Sequence, residues 1–383
     1  MSMKIFVAMS GGVDSSVAAA LLKEQGHDVT GITMQLWPRL AKDVGTGCCC
    51  GLDAIDDARR VAAVIDIPHY VVNMRDAFEI AVIDNFISEY RLGRTPNPCV
   101  KCNQMIKFDI LLKKVIGMGA DKLATGHYAR IATAQSEKSE IKNKKSEITK
   151  KQTGNDLTPH ASRLTAYKLL KGLDAKKDQS YFLWTFTQDQ LAKTLLPLGE
   201  LTKDKVREKA RVCKLPVAEK AESQEICFVP EDKYRDFLRE RGVPDNPGPI
   251  VDIDGRVLGR HDGVSGFTVG QRRGLGVASG RPLYVVSIDA GANTVVVGPE
   301  EGIRIGSLSA DHANFISGES PKEFFNVNAR IRYNAPDIPA VVTPLARDRL
   351  RVDLAEPQRA IAPGQSVVFY DGQELLGGAV IFG

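Results

Sequence analysis

Apolar runs alternate with amphipathic stretches through the first 125 residues. The run at residues 5–9 is apolar throughout, Ser10-Gly11-Gly12 follows it, and residues 13–25 have helical spacing before Gly26. A buried strand, a glycine loop and a helix are therefore predicted in succession. Further strands are predicted at residues 29–36, 69–72 and 122–125, and further helices at residues 54–65, 75–92 and 107–118. Strands that alternate with helices of this length indicate an α/β fold with a doubly wound parallel sheet.

The alternation stops in a polar segment at residues 134–162, where Ser, Lys, Glu, Asn and Thr dominate. Such a composition buries too little apolar surface to offset its ordering entropy, so a solvated, disordered insertion is favoured over a basic RNA-binding arm. Residues 163–240 return to helical patterns.

From residue 244 onward the chain changes to short runs of period two, separated by Gly, Pro and Asp. These runs are at residues 283–288, 294–297, 327–333, 350–354 and 366–370. They are typical of a β-barrel or sandwich, and we expect an antiparallel β-barrel at the C-terminus. The predicted domains are a catalytic unit at residues 1–228, a small mixed central domain at 229–300 and the barrel at 301–383.

Composition is that of an ordinary soluble protein. The chain has 383 residues, 43% hydrophobic and 26% charged, which fits several globular domains and excludes collagen, coiled coil and wholesale disorder. The net charge of +4 is too small to identify a polyanionic partner. Residues 241–383 carry 14 basic and 16 acidic side chains, so the basic excess lies in the first part of the chain.

The cysteines and the N-terminus indicate a reducing compartment. Seven cysteines is an odd number, and Cys48, Cys49 and Cys50 are consecutive, which does not fit a secreted disulfide framework. The first apolar run is too short for a signal peptide, and no stretch approaches the roughly 20 apolar residues of a membrane span. We therefore expect a cytoplasmic protein that does not associate with membranes.

The glycine loop, Ser10 to Ser16, has the chemistry of an anion site. Glycines let the backbone approach a phosphate, and the start of a helix offers unpaired amides. The loop matches neither the Walker A pattern nor the dinucleotide fingerprint. Asp14 would repel a phosphate unless Mg²⁺ bridged them, which suits cleavage between the α and β phosphates. A plain Gly-Gly turn with Asp14 at the helix start is the alternative, but Ser-Gly-Gly-x-Asp-Ser resembles the signature of the PP-loop ATP pyrophosphatases.

Two further cysteines are candidates for reactive thiols. Residues 95–103 are predicted to form a rigid extended loop because of Pro96 and Pro98, with Cys102 just before the helix that starts near residue 107. A thiol near a helix start and beside lysines is expected to have a depressed pKa and to be nucleophilic. Cys227 ends a strand-like run. Cys99-x-x-Cys102 also admits a zinc half-site or a redox pair, but no second ligand pair exists for zinc.

Several motifs, in this order, resemble those of the tRNA-specific 2-thiouridylases, the MnmA/TrmU family. They are residues 10–16, 95–103 with 106–108, 125–128, 177–182, 223–228, 270–274 and 330–333. The resemblance covers nearly the whole chain except the insertion. It implies 2-thiolation of the wobble uridine in the tRNAs for Lys, Glu and Gln.

The resemblance also implies a chemistry and a set of site residues. ATP, with Mg²⁺, would adenylate the uridine O2, and Asp14 would assist at the phosphates. A persulfide on Cys227 would then deliver sulfur to C2. Cys102 would release the product and leave a Cys102–Cys227 disulfide. The implied ATP site is Ala8, Met9, Ser10, Gly11, Gly12, Val13, Asp14, Ser15, Met34 and Gly126. The implied target-base residues are Asn97, Pro98 and Cys99, and the implied tRNA contacts are Lys177, Asp178, Gln179, Arg332 and Tyr333. The implied partners are the tRNA anticodon loop, with its base flipped out, and a sulfur-donor protein, and a monomer is expected.

One position departs from the family pattern. Studied members carry Asp where this chain has Cys99, and a thiol has an ordinary pKa of about 8.5 against about 3.9 for Asp. Cys99, Cys102 and Cys227 alternatively supply three ligands to a [4Fe–4S] cluster.

Two other functions stay open on the residues alone: an amide-forming PP-loop ligase, and a nucleotide- and RNA-binding module without chemistry. His127 is expected to shape the nucleotide pocket, and Cys213 to pack in a helix.

Overall fold

The computed structural model describes residues 1–36, 52–133, 167–221, 226–229, 233–345 and 348–382. Three features of the sequence fall outside these ranges. They are Cys48–Cys50, the insertion predicted at residues 134–162, and residues 223–225 of the segment that leads to Cys227.

The N-terminal unit is built on a parallel sheet. Its strands are β1 Lys4–Ala8, β2 Asp28–Gln35, β3 His69–Asn73, β4 Lys122–Ala124, β5 Ala129–Thr133, β6 Tyr167–Lys171 and β7 Thr194–Leu195. Five of them form a sheet in the order β3-β2-β1-β4-β7, and every pairing in it is parallel. The predicted doubly wound parallel sheet is confirmed.

The described helices of this unit pack on the sheet or extend from it. They are α1 Val13–Glu24, α2 Leu52–Val64, α3 Arg75–Phe78, α4 Asp84–Arg91, α5 Pro98–Lys101, α6 Leu112–Gly117, α7 Gln188–Ala192 and α8 Lys203–Val212. No helix in the described ranges of the chain is long and apolar enough to cross a membrane.

Strand β1 is buried on both faces, and its side chains alternate between two apolar cores. Ile5 and Val7 lie in the core beneath α1 with Val17 and Ala18, whereas Phe6 lies in a larger core on the other face. We call this larger cluster the central core; its members include Phe6, Ile32, Phe86, Ile106, Phe228 and Tyr370. A strand covered on both faces is apolar at every position, which explains the unbroken run in the sequence.

The strand order places a crevice beside β1. The chain goes from β1 to β2 and β3 on one side, then returns to β4 on the other, where Val7 pairs with Ala124. Ligands of open α/β sheets bind at such a reversal, outside the carboxyl ends of the strands. The glycine loop and the residues after β4 both lie at this edge.

The helix that carries Cys99 and Cys102 begins earlier than predicted. The expectation of an extended loop through residue 103 is wrong, because α5 begins at Pro98 and continues through a π-helical stretch, Cys102–Leu111, into α6. Asn97 caps the helix by accepting a hydrogen bond from the Val100 amide at 3.3 Å. Proline is well tolerated at the first helical position, where its missing N–H has no helical partner to lose.

A small central unit and a barrel follow. The central unit contains α9 Tyr234–Glu240, β8 Gly248–Asp252, β9 Val257–His261, β10 Tyr284–Asp289 and β11 Thr294–Gly298, with the strands in the order β10-β11-β8-β9. The barrel strands are β12 Arg304–Phe315, β13 Phe325–Arg330, β14 Ile338–Pro344, β15 Leu350–Arg359, β16 Ser366–Asp371 and β17 Glu374–Ile381. Because β12 pairs with both β15 and β17, these six antiparallel strands close into a barrel. The predicted C-terminal barrel is confirmed.

The hairpin β5–β6 joins the N-terminal unit to the barrel. Leu169 of β6 pairs with Leu375 of β17, so the hairpin extends the barrel sheet. The prediction that residues 163–240 are helical is wrong for β6. A five-residue segment is too short to show a period, and its strand state depends on pairing with β5, on the other side of the polar segment, and with β17.

Candidate active site

The glycine loop between β1 and α1 is closed by its own hydroxyls. The Ser10 amide donates to Ser15 Oγ at 3.1 Å, and the hydroxyls of Ser15 and Ser16 donate to the Gly12 carbonyl at 3.3 and 2.8 Å. Gly12 is the N-cap of α1 and provides no side-chain cap. The first amides of α1 therefore remain for a ligand, and the positive end of the helix dipole favours an anion there.

Two glycines bring three backbone segments together at this loop. Gly11 has φ of +68°, and a Cβ there would lie 2.2 Å from the carbonyl oxygen of Ala54 in α2. A Cβ on Gly126 would lie 2.7 Å from the amide nitrogen of Ser15. Neither position has room for a side chain, so these glycines hold α1, α2 and the end of β4 in close contact.

The residues predicted to bind ATP lie along one edge of the sheet. Ala8 ends β1, Met34 lies near the end of β2, and Gly126 follows β4. The carboxyl ends of parallel strands face the same way, so these residues and the loop between β1 and α1 surround the crevice. Their contact with ATP stays a prediction.

The Asp14 carboxylate is held by Tyr128, which lies in the motif at residues 125–128, and by Lys203, which the sequence did not single out. Lys203 Nζ donates to Oδ1 and Oδ2 at 2.7 and 2.9 Å, and the Tyr128 hydroxyl donates to Oδ1 at 2.7 Å. The Lys203 side chain is 10% exposed and that of Asp14 is 33% exposed. Lys203 lies 189 residues from Asp14 in the chain, so no local pattern reveals the pair.

Lys220 is a second lysine at the loop. Its Nζ donates to the Gly11 carbonyl at 3.1 Å and to Asp57 Oδ2 at 2.6 Å. Burial alone raises the pKa of Asp57, but hydrogen bonds from Lys220 and Arg60 outweigh it and hold the pKa below its ordinary value. The lysine is thereby kept beside a charged carboxylate at neutral pH, and it supports the loop backbone.

His127 lies after β4, beside the cysteine-bearing helix. Its Nδ1 and the Thr125 hydroxyl share a hydrogen bond at 2.8 Å, and its ring centroid is 5.8 Å from that of Phe108. Burial, with a smaller contribution from the charge of Lys107, lowers the pKa of His127 well below 6.5. The imidazole is therefore neutral at neutral pH.

The two predicted catalytic cysteines border the central core. Cys102 and Cys227 are both partly buried and pack against it, as do Ala8, Met34 and Tyr333. Both thiols are reduced in this structure. Residues at the end of β1, near the end of β2 and at the two thiols therefore all pack against the same core.

Cys227 is positioned by the residue that follows it. The Phe228 ring packs edge-on against Phe86 and Phe78, with centroid distances of 5.1 and 5.7 Å, and lies 5.5 Å from Phe237. Such pairs stabilise a single ring orientation beyond plain area burial. The ring anchors residues 226–229 in the central core.

The barrel holds the loop that precedes Cys99. The Thr95 amide donates to the Pro363 carbonyl at 2.7 Å, and Gln365 Nε2 donates to the carbonyls of Thr95 and Pro96 at 3.0 and 3.2 Å. Sequence reasoning missed Gln365, since it lies 270 residues from Thr95. Cys99 itself is exposed, one helical turn before Cys102.

Family models match almost the whole chain. Residues 3–231 match the tRNA methyl transferase HUP domain, residues 235–299 the tRNA methyl transferase PRC-barrel domain, and residues 306–381 the Aminomethyltransferase beta-barrel domain.

Curated relatives decide the family. The tRNA-specific 2-thiouridylase MnmA of Carboxydothermus hydrogenoformans is 50% identical over 381 residues, which are 99% of this chain and 97% of that protein. The protein of the same name from Moorella thermoacetica is 51% identical over 378 residues, 98% of each chain. The chain belongs to the tRNA-specific 2-thiouridylase family. This confirms the predicted family and the prediction of an enzyme of the transferase class.

Among solved structures, an NMN synthetase from Francisella tularensis matches 58% of this 2-thiouridylase-family chain and 67% of its own, at 17% identity. Its TM-score of 0.32 is too low to support a conclusion.

Four of the five positions that the 2-thiouridylase resemblance assigns to tRNA are at least partly exposed. Gln179 makes two hydrogen bonds with Tyr128. Its backbone amide donates to the Tyr128 carbonyl at 2.9 Å, and its side-chain Oε1 accepts from the Tyr128 backbone amide at 3.0 Å. The Tyr333 ring lies 4.5 Å from that of Phe182, and the Arg332 guanidinium is exposed. Lys177 is half-buried.

Asp178, the fifth position, turns its carboxylate into the protein. It is 5% exposed, and its Oδ1 accepts from the amides of Gly172 and Ser180 at 3.0 Å each. Oδ2 accepts from the Ser180 hydroxyl at 3.0 Å and from Arg330 Nη1 of the barrel at 3.2 Å. This geometry gives the Asp178 side chain a role at the junction with the barrel, and contact with tRNA would fall to Lys177 and Gln179.

The cysteines of the iron–sulfur alternative do not converge. Cys99 is exposed, whereas Cys102 and Cys227 lie partly buried at the central core. Within the described ranges, no three His, Cys, Asp or Glu side chains form a group that could hold a metal ion. These residues, as placed, do not fit a [4Fe–4S] cluster, which needs at least three thiolates around one centre.

Proposed function

We propose that the protein forms 2-thiouridine at the wobble position of the tRNAs for Lys, Glu and Gln, and converts ATP to AMP and diphosphate. The observation that carries the proposal is that the crevice edge and both thiols pack against the same central core. Ala8 and Met34 at the crevice edge, and the thiols of Cys102 and Cys227, all border it. A nucleotide in the crevice and a uridine between the thiols would be neighbours there. The names of the curated relatives support 2-thiolation of uridine in tRNA.

In the first step, the uridine O2 attacks the α-phosphorus of ATP. An O–P bond forms, and diphosphate leaves with the electron pair of the broken P–O bond. The reaction converts O2 into a good leaving group. The amides at the start of α1 would bind the phosphates, since they lack a side-chain cap. Asp14 is a one-third exposed carboxylate, a group that suits the Mg²⁺ that accompanies ATP.

In the second step, sulfur arrives as a persulfide on Cys227. Its terminal sulfur attacks C2 of the adenylated uridine, and AMP leaves with O2. The Cys102 thiolate attacks Sγ of Cys227 and breaks the S–S bond to the transferred sulfur. A Cys102–Cys227 disulfide remains, and two electrons from a dithiol reductant restore both thiols.

Recognition of the base would fall to Asn97, Pro98 and Cys99. Asn97 is fixed by its capping bond to the Val100 amide, and the barrel holds the chain before it. Cys99 is exposed beside these residues, in the position where the family resemblance expects an aspartate. A thiol can donate a hydrogen bond or a proton to the base, but at a higher pKa than a carboxyl group.

The partners follow from the chemistry. The tRNA anticodon loop would present an unstacked wobble base to the thiols, since a stacked base cannot be reached. A sulfur-donor protein would charge Cys227. We propose that the enzyme acts as a cytoplasmic monomer with functional units at residues 1–228, 229–300 and 301–383.

The reaction can be tested in a single turnover with purified protein that has first been charged by a persulfide donor, together with unmodified tRNA, ATP and Mg²⁺. Nucleoside mass spectrometry should show 2-thiouridine, with equal AMP released. A matched reaction with an ATP analogue that has a methylene between the α and β phosphorus atoms should form none, because diphosphate cannot leave. Thiolation without ATP, or ATP-driven amide synthesis, would overturn the proposal.

A further inference from the structure

A buried lysine stands beside an ATP-type loop whose own sequence, Ser10 to Ser16, contains no cation. Lys203 Nζ lies 2.7 and 2.9 Å from the two oxygens of Asp14, and its side chain is only 10% exposed. Burying an ammonium is costly unless it is paired and hydrogen-bonded. The pairing with Asp14 meets that condition.

The backbone fixes Lys203 at the first position of α8. Its amide donates to Asp174 Oδ2 at 2.9 Å, and the Thr202 hydroxyl caps the helix by accepting from the Lys205 amide at 3.4 Å. The anchoring is independent of Asp14. Lys203 therefore keeps its place when Asp14 changes partner.

Helices α1 and α8 lie side by side and run in the same direction. The pair Asp14–Lys203 joins their first turns, and the pair Glu24–Lys209, at 2.6 Å, joins them further along. The N-terminal ends of both helices therefore face the crevice. Lys203 reaches the first turn of α1, where the free amides of the loop would bind phosphate.

We propose that Lys203 is a catalytic residue that contacts the β-phosphate of bound ATP and stabilises the departing diphosphate. This inference rests on the proposed function. Bound ATP brings several negative charges to a loop that already carries the Asp14 carboxylate. If Asp14 held the Mg²⁺ that accompanies ATP, the Lys203 ammonium would donate its hydrogen bonds to the leaving-group oxygens instead. As the bond between the α-phosphorus and its bridging oxygen breaks, that oxygen gains the electron pair and negative charge beside the ammonium.

A purely structural role for Lys203 makes a different prediction. If the lysine only shaped the loop, its loss would weaken all ligands of the crevice alike, and if it only neutralised Asp14, Lys203→Arg would keep wild-type diphosphate release. If it contacts the β-phosphate, adenosine, which has no phosphates, is unaffected. The comparison of adenosine with ATP therefore separates contact with the phosphate from shaping of the loop.

The experiment uses the full-length chain with Lys203→Met, Lys203→Arg and Lys209→Met. Lys209 is the matched control, because it forms an ion pair between the same two helices, away from the loop. We expect Lys203→Met to slow single-turnover diphosphate release at saturating ATP and tRNA by about 100-fold or more, the range for loss of a transition-state charge contact. Its ATP affinity should fall by about tenfold and its adenosine affinity should be unchanged. Lys209→Met should match the wild type in diphosphate release, ATP affinity and adenosine affinity.

Equal losses of affinity for adenosine and for ATP in Lys203→Met, or diphosphate release by that variant at the wild-type rate, would overturn the inference. If Lys203→Met does not fold, Lys203→Arg decides: it should bind adenosine normally but release diphosphate at least about tenfold more slowly, because a planar guanidinium does not replace a compact ammonium. Unchanged release by Lys203→Arg then contradicts the inference. If the wild type itself releases no diphosphate in the presence of tRNA, the proposed function fails instead.

Discussion

Asp178 and Arg330 form an ion pair at 3.2 Å across the junction between the N-terminal unit and the barrel, and both side chains are nearly buried, at 5% and 14% exposure. Arg330 Nε also donates to Asp337 at 2.8 Å, and the guanidinium lies 4.9 Å from the centre of the Tyr370 ring. The Ser180 and Tyr370 hydroxyls, 3.1 Å apart, extend the network. The segment of the predicted tRNA contacts is thereby fixed to the barrel.

The junction pair should matter for stability. Arg330→Gln leaves a buried carboxylate uncompensated, so we expect the free energy of unfolding to fall by about 3–5 kcal/mol. Urea unfolding measures it. Arg351→Gln is the control, since its pair with Asp353 at 2.9 Å is 58% and 42% exposed and should contribute less than about 1 kcal/mol. A similar fall in the free energy of unfolding in both variants would show that burial of the ion pair at the junction does not contribute to stability.

Gly126 should tolerate no side chain. In Gly126→Ala, the new Cβ would meet the Ser15 amide nitrogen at 2.7 Å and the Asp14 carbonyl carbon at 2.8 Å, so the first turn of α1 must move. We expect ATP affinity to fall at least about tenfold, which is the effect of losing about 1.4 kcal/mol. Gly117→Ala, at the end of α6, meets nothing within 4 Å and should leave ATP affinity unchanged. Isothermal titration calorimetry compares them, and equal affinities would contradict the close packing.

Stability should fall in mild acid because of His127. Burial lowers the pKa of His127 well below 6.5 in the folded state, so below about pH 6.5 the unfolded chain binds a proton that the folded chain does not. Stability is therefore lost as the pH falls through this range, by up to about 1.4 kcal/mol per pH unit for this group. Burial lowers the pKa values of His69 and His261 in the same direction.

The check is urea unfolding of the wild type and of His127→Gln between pH 5 and pH 8. The variant should show a shallower loss of stability below pH 6.5, since one titrating group is gone. An unchanged slope would mean that His127 is protonated in the folded protein.

The fold was predictable where the pattern is local. The apolar run of β1 and the period-two runs of the barrel translate directly into strands, as at residues 366–370 and the observed β16 Ser366–Asp371. Strand β6 escaped prediction because its state depends on pairing with β5 and β17, neither of which is adjacent to it in the sequence. The predicted start of the helix, near residue 107, is wrong because a proline can end a helix but is also favoured as the first residue of one, as Pro98 is here.

The candidate site was predictable as motifs but not as contacts. The glycine loop, Gly126 and the two cysteines stand in recognisable segments. Lys203 at Asp14 and Gln365 at Thr95 join residues 189 and 270 positions apart, and only the folded chain brings them together. Asp178 lies in a motif assigned to tRNA, yet its carboxylate is buried, which no spacing in the sequence reveals.

The passage of sulfur through Cys227 is the central claim, and isotopic labelling tests it most directly. The protein is charged with labelled persulfide sulfur, digested and analysed by mass spectrometry, and a parallel sample receives tRNA and ATP. Cys213, which follows α8 beside Glu24, supplies the control variant Cys213→Ser. The account predicts one labelled sulfur on Cys227 that moves to uridine in the wild type and in Cys213→Ser. In Cys102→Ser the label should be trapped in a disulfide adduct between Cys227 and the tRNA, and in Cys227→Ser it should never reach tRNA. Labelled 2-thiouridine formed by Cys227→Ser at the wild-type rate would contradict it.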